Sequence, residues 1–444
     1  MTQQKRKKQD LFDTLFGALD DIIVVLRPYV LRGRVPKEPV TEARSRKEGG
    51  FVHYHYHRRS YADLCGRLAD QWHHLPTVRA AIERLASDKD VQKEFKLVGF
   101  GDVANYVETQ IFDQFIYAVF RRTRRWPPTK STVEQLFSEF EDYLLGGTVY
   151  YQALVPLENF ECESRSLYIE PGIVVRELCK SEKEELLTRV LSGWSLQNAM
   201  EVSSFKFAAT IEVSWKKGTI QLHHQSSVEK LLTGLRLFKT GGIGTNVAYK
   251  REIRWQPGHV VGGGERHAFT LPVVGPKYRL SVSEASELQT FWLWLYEQPL
   301  SASTAVAVRW FNHGYQDWIP ADRLVSFVTA FESLFLLPND KKGKYLRSRI
   351  PRLLADAAGR PRVEKNVGDL WNLRSNIVHA RPYSEALAAA LVTTAEDYVR
   401  ESIRRFIALE RTVTASSHLD AIRWIDDASV DAAKSKLFPQ WISL

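Results

Sequence analysis

The hydrophobic pattern of this 444-residue chain changes period twice, and that double change limits the fold more than any other feature. From residue 9 to 146, apolar side chains recur every three or four positions, the spacing of helices with one buried face. KQDLFDTLFGALDDIIVVL, SYADLCGRLADQWHHL, PTVRAAIERLASD, NYVETQIFDQFIYAVFRRTRR and KSTVEQLFSEFEDYLLG carry this spacing. Ser60 and Asn105 stand where helix N-caps are expected. From 147 to 281 the apolar runs shorten and become rich in β-branched and aromatic residues. TVYYQALVPL, SLYIEPGIVVREL, FKFAATIEVSW, TIQLHH and HAFTLPVV read as strands between Gly, Pro and Ser turns, with helices near 181–192 and 226–238. From 282 the helical spacing returns, from SEASELQTFWLWLYEQ to SEALAAALVTTAEDYVRESIRRFIALE. The expected architecture is α+β and predominantly helical. It comprises a helical N-terminal region (1–146), a central antiparallel sheet-containing module (147–281) and a C-terminal helical bundle (282–444).

Composition narrows the function classes. An apolar content of 44% is ample for cores and excludes a disordered chain. The longest apolar candidate, LFGALDDIIVVLRPYV, is broken by Asp20 and Asp21, so no membrane span is expected. MTQQKRKKQD is basic with no apolar stretch directly after it, unlike a secretory signal. Cys65, Cys162 and Cys179 are odd in number and form no CxxC pair, which disfavours a disulfide framework or zinc knuckle and fits a reducing cytoplasm. TGGIGTN and VGGGER lack the GK[ST] of a phosphate-binding loop and read as turns. No cofactor or metal is expected.

The net charge is +9, and its placement matters more than its size. Residues 339–365 hold nine lysines and arginines against three acids. Such a run either attracts polyanions, as nucleic acid, or forms a solvated helix face. FVHYHYHRR would place His53, His55 and His57 on one face of a strand. An exposed aromatic hairpin, or a surface touching RNA through Arg58 and Arg59, is favoured there over a metal site. RRTRRW, Arg121 to Trp126, is either a nucleic-acid contact or, more simply, a solvated helix end.

LWNLRSNIVHARP, Leu370 to Pro382, carries the sharpest signal. At 100° per residue, Leu370, Trp371, Leu373, Ile377 and Val378 form one apolar arc with Arg374 at its centre. A guanidinium there must be paired, reach water, or lie at an interface. His379 borders the same arc, one turn from Ser375, and Pro382 is expected to end the helix. The simplest reading is a structural Arg374 pair with an acid such as Glu332, inside the apolar SFVTAFESLFLL, and a histidine that merely caps.

These residues also resemble a known pattern. LWNLRSNIVHA is similar to the R-x(4–6)-H signature of HEPN domains, and most closely to their ApeA-like branch. AFESLFL, KYLRSRIPRLL and AEDYVRESIRRFI are similar, in order and spacing, to that branch's acidic-centred helix, its basic helix and its closing helix. The resemblance covers roughly 285–412. VPLENFECESRSLYIEPGIVVREL is loosely similar to the sheet-rich module that often precedes the domain, and residues 1–146 match no known pattern. The resemblance implies a metal-independent ribonuclease that dimerises through the HEPN bundle, with Arg374 and His379 as the motif pair. Ser375 follows the arginine, where Asn, Asp or His is common, leaving Asn376 as a substitute helper. Ala380 stands where glycine usually follows the histidine. The resemblance further implies an antiviral, abortive-infection effector whose N-terminal half senses a trigger, such as a phage component; its RNA target is tRNA, rRNA or mRNA.

Side-chain chemistry agrees. Histidine titrates near neutrality and can take the proton of a ribose 2′-OH. Arginine offers a permanently charged fork that matches phosphate oxygens. Lys341, Lys342, Lys344, Arg347 and Arg352 are expected to hold the RNA backbone, whereas Arg349 is expected inside, bridged to Glu332. The alternative is a non-catalytic module that dimerises or binds nucleic acid. A weaker one is a metal-dependent nuclease built on His53, His55 and His57.

Overall fold

A computed structural model describes residues 8–45, 51–98, 102–123, 126–146, 148–189, 203–216, 223–251, 263–266, 273, 275–412 and 418–427. The fold is predominantly helical with an antiparallel sheet, as the periodicities require. Among the described residues, no helix is long and apolar enough to cross a membrane.

The first region is built on α1 (Gln9–Leu31), whose buried Leu11, Leu15, Ala18, Leu19, Ile22 and Leu26 keep helical spacing. A hairpin follows, β1 (Lys37–Ser45) antiparallel to β2 (Phe51–Arg59). The histidines of FVHYHYHRR are thus on a strand, and their side chains lie outside the described residues. Next come α2 (Tyr61–Arg67), α3 (Ala69–Trp72), α4 (Pro76–Ser87), α5 (Lys89–Val98) and α6 (Val103–Asn105), which runs through a π-helical turn (Tyr106–Phe112) into α7 (Asp113–Arg122) and then α8 (Lys130–Gly146). Ser60 caps α2 as expected, accepting the Asp63 N–H at 3.2 Å. Asn105 does not cap: the role falls to Asp102, which accepts the Ala104 N–H at 3.0 Å. These helices enclose their own core around Trp72, Phe112, Phe115 and Phe137. Trp126 stacks on Phe120 and packs on Tyr61, and Arg122 pairs with Glu139 at 2.8 Å, so this ring and this charge take part in the packing of the region.

The sheet has the order β5-β6-β7-β3-β8-β9, antiparallel throughout. Its strands are β3 (Thr148–Leu157), β5 (Ser166–Glu170), β6 (Ile173–Glu177), β7 (Phe207–Lys216), β8 (Val247–Arg251) and β9 (Gly263–Arg266). VGGGER therefore ends in a strand, not a turn. TIQLHH does not extend as a strand to its end, since α10 (His223–Phe238) starts at His223, its earlier residues lying outside the described set with most of HAFTLPVV. Alternation along β3 buries Ala153 and Val155 against α10 and the bundle, while Leu154 faces Leu186 and Leu187 of α9 (Lys180–Arg189). A short parallel pair, β4 (Phe160–Cys162) with β10 (Tyr278–Leu280), leads into the bundle.

The bundle comprises α11 (Val282–Tyr296), α12 (Ala302–His313), α13 (Pro320–Phe335), α14 (Lys342–Leu354), α15 (Arg360–Val378), α16 (Glu385–Thr412) and α17 (His418–Asp426). Ser281 and Glu284 form a capping box at the start of α11. The most enclosed helix, α13, buries Leu324, Phe327, Phe331, Leu334 and Phe335 and packs on α12, α14, α15 and α16. Each buried ring is worth about 2–3 kcal/mol. Sheet and bundle share one continuous core, so the change of period near 281 is not a break in packing.

Candidate functional site

Three helices meet at Glu332. It lies in the last turn of α13, inside an apolar run that buries its neighbours. Its Oε1 is 3.1 Å from Nη2 of Arg374 on α15, and its Oε2 is 2.7 Å from Nζ of Lys342 at the start of α14. Glu332 and Arg374 are 13% and 17% exposed, Lys342 54%. The first pair is therefore shielded and the second screened by water. Trp371, a turn before Arg374, lies under the guanidinium with its ring centroid 5.4 Å away.

Gly343 explains why α14 comes so close. A Cβ there would meet Trp371 Nε1 at 2.7 Å, so only glycine lets the start of α14 lie on this ring. One turn on, Arg347 Nη2 donates to Asn372 Oδ1 at 3.2 Å. The site thus gathers Arg374 and Lys342 around one carboxylate, with Arg347 held on Asn372 and Lys341 and Lys344 exposed near the start of α14. Arg352 belongs elsewhere: Nη1 donates to the Asp426 carbonyl of α17 at 2.8 Å, on the side of α14 that carries Arg349. Arg349 is buried but is not bridged to Glu332. It reaches Asp340 at 2.5 Å, Asp426 at 2.9 Å and the Phe335 carbonyl at 2.6 Å. Burial lowers its pKa, but the two carboxylates outweigh that and hold it above its ordinary value. Asp426 lies on a helix the sequence did not suggest, which is why the nearer Glu332 looked like the partner.

His379 ends α15 and is exposed. Its N–H donates to the Ser375 carbonyl at 3.1 Å. Ala380 then takes a left-handed φ of 52°, with its N–H on the Ile377 carbonyl at 3.1 Å and that of Arg381 on the Asn376 carbonyl at 2.8 Å. This is the double bond pattern of a Schellman stop. The helix thus ends before Pro382, and Ala380 occupies the position where glycine is at ease. Ser375 and Asn376 are half-buried and contribute carbonyls to this stop. His379 stands five positions after Arg374, roughly 7.5 Å along the axis.

The apolar arc of α15 divides along its length. Leu370 and Leu373 are buried, Trp371 and Ile377 half-buried, and Val378 is 48% exposed. Tyr383 and Leu387, next along the chain, are exposed at 40% and 47%. Arg374 therefore lies where the arc passes from core to open surface. Among the described residues no group of three or more His, Cys, Asp or Glu is placed to hold a metal, His53, His55 and His57 lying outside that search. Trp371 and Asn372 are the members that sequence reasoning missed: one read as core, the other as the polar face. No protein-family model, curated protein or solved structure matches this chain.

Proposed function

We propose that the chain is a metal-independent endoribonuclease of the HEPN type, acting through Arg374 and His379. The observation that carries this reading is the exposed imidazole of His379 on the same helix end as Arg374, a cation whose carboxylate partner Glu332 is shared with Lys342. Two cations on one carboxylate leave the site positive, and Lys341 and Lys344 add to it. In the reaction proposed, His379 removes the proton of a ribose 2′-OH, the oxygen attacks the adjacent phosphorus, and the P–O5′ bond breaks. The departing O5′ receives a proton, leaving a 2′,3′-cyclic phosphate and a 5′-hydroxyl. Arg374, oriented by Glu332, offsets charge on the phosphoryl oxygens.

A homodimer through the exposed Val378, Tyr383 and Leu387 surface would bring two such helix ends together, one His379 serving as base and the other as acid. The expected substrate is cellular tRNA, rRNA or mRNA in a cytoplasm. The role is an antiviral effector restrained by the N-terminal half until a trigger, such as a phage component, arrives. Cleavage of total RNA in EDTA by the wild type, and its loss in Arg374→Ala with the dimer retained, tests the reading.

One observation favours a second reading, a non-catalytic module that dimerises or binds nucleic acid. The Arg374–Glu332 pair and the backbone cap at His379 both serve folding as they stand. An Arg374→Ala protein that still binds and cuts RNA equally well would point to it.

A further inference from the structure

The hairpin of β1 and β2 belongs to the N-terminal region, and its register sorts its residues between two faces. Successive residues of a strand fall on opposite faces, and residues opposite each other across the pair share one. Tyr54, Tyr56 and Arg58 therefore share a face with Glu42, Val40 and Glu38, which include the acids of the two strands. His53, His55 and His57 fall on the other face, opposite Ala43, Thr41 and Pro39. Lys37 and Arg59, opposite each other, end that second face beyond His57.

This register divides the readings of FVHYHYHRR. Arg58, one of the two cations offered for RNA, is on the face away from the histidines and opposite Glu38. Tyr54 and Tyr56 go with it. What stays together is a row of three histidines with small, uncharged residues opposite and, within the two strands, no carboxylate on their face. Imidazole without carboxylate suits zinc, copper or nickel rather than calcium or magnesium, which take oxygen ligands. Alternate strand residues are roughly 6.8 Å apart, a spacing that lets neighbouring histidines share one ion with metal–nitrogen bonds of about 2.1 Å. His53 and His57 are roughly twice as far apart and do not share one, so His55 belongs to both possible pairs. Lys37 and Arg59 add positive charge beyond His57, which disfavours a dication in the second pair.

We propose that the β1–β2 hairpin binds a divalent transition-metal ion between His53 and His55, with His55 and His57 as the weaker pair. Water fills the remaining positions of the ion. The cleavage proposed for Arg374 and His379 needs no metal, so this site stands or falls independently of that reading.

The test is calorimetric titration of the full chain with nickel chloride, with magnesium chloride as the control. At about pH 7.5, where imidazole is neutral, nickel is expected to bind and magnesium is not. His55→Ala removes both pairs and should weaken nickel binding at least about 30-fold, His53→Ala about tenfold and His57→Ala less than about twofold. Thr41→His places a third imidazole opposite His55 on the same face and should tighten binding about tenfold, a gain that loss of folding does not produce. Lowering the pH to about 5.5 protonates the histidines and should weaken binding in the wild type by about tenfold or more. Nickel binding unchanged in His55→Ala, equal losses in all three histidine variants, or no tightening in Thr41→His would overturn the proposal.

Discussion

Glu332 lies 3.1 Å from Arg374 and 2.7 Å from Lys342, so a single carboxylate ties two helices to a third. Glu332→Gln should destabilise the fold by about 2 kcal/mol, because it leaves a shielded guanidinium without its counter-charge. Lys342→Ala should cost less than about 0.5 kcal/mol, since that ammonium is largely in water. Urea denaturation at unchanged m separates the two.

Ala380 is held at a φ of 52° by the stop that follows His379. Ala380→Gly should stabilise the protein by roughly 0.5–1 kcal/mol, since a side chain disfavours this conformation. The same denaturation series measures it, and a loss of stability would mean that Ala380 makes contacts outweighing its strain.

Arg349 is 3% exposed and joins α14 to Asp340 and to Asp426 of α17. Asp426→Asn should cost about 2 kcal/mol, as it takes one of two charges from a buried cation. A change within about 0.3 kcal/mol would mean that Asp340 and the Phe335 carbonyl satisfy Arg349 alone.

His73 has Nε2 3.2 Å from Asp113 and Nδ1 3.1 Å from Glu108. The bond to Asp113 raises its pKa, burial opposes it, and the charges of Asp113 and Glu108 add to the rise. A raised folded-state value contributes stability that is complete below the unfolded value near 6.5 and is lost as pH climbs through the folded one. Stability of the N-terminal region should therefore fall from about pH 6.5 upward, and His73→Gln should flatten that fall. Thermal melts across this range, followed by a probe in residues 1–146, check it.

Much of this fold was legible because it follows from periodicity. TVYYQALVPL is strand β3 to the residue, whereas SLYIEPGIVVREL, read as one strand, folds as the two strands β5 and β6 about Gly172. The acid beside Arg374 was legible too, because a glutamate in an apolar run needs a cation. Three features were not. The cap at Asp102 lies before the apolar pattern begins, so the nearer Asn105 was read as the cap. The partner of Arg349 lies 77 residues away on α17, beyond any local spacing. The sharing of Glu332 with Lys342 depends on Gly343 lying flush against Trp371, a close approach between helices that no linear pattern encodes.

The most direct measurement is RNA cleavage in EDTA by wild type and His379→Ala, with the ends of the products identified. His379 is exposed and caps α15 through its backbone, so the variant should fold, keep its oligomeric state and lose cleavage by at least about 100-fold. Wild-type products should end in a 2′,3′-cyclic phosphate with a 5′-hydroxyl on the other fragment. Full cleavage by His379→Ala, or products bearing 5′-phosphates, would contradict the account.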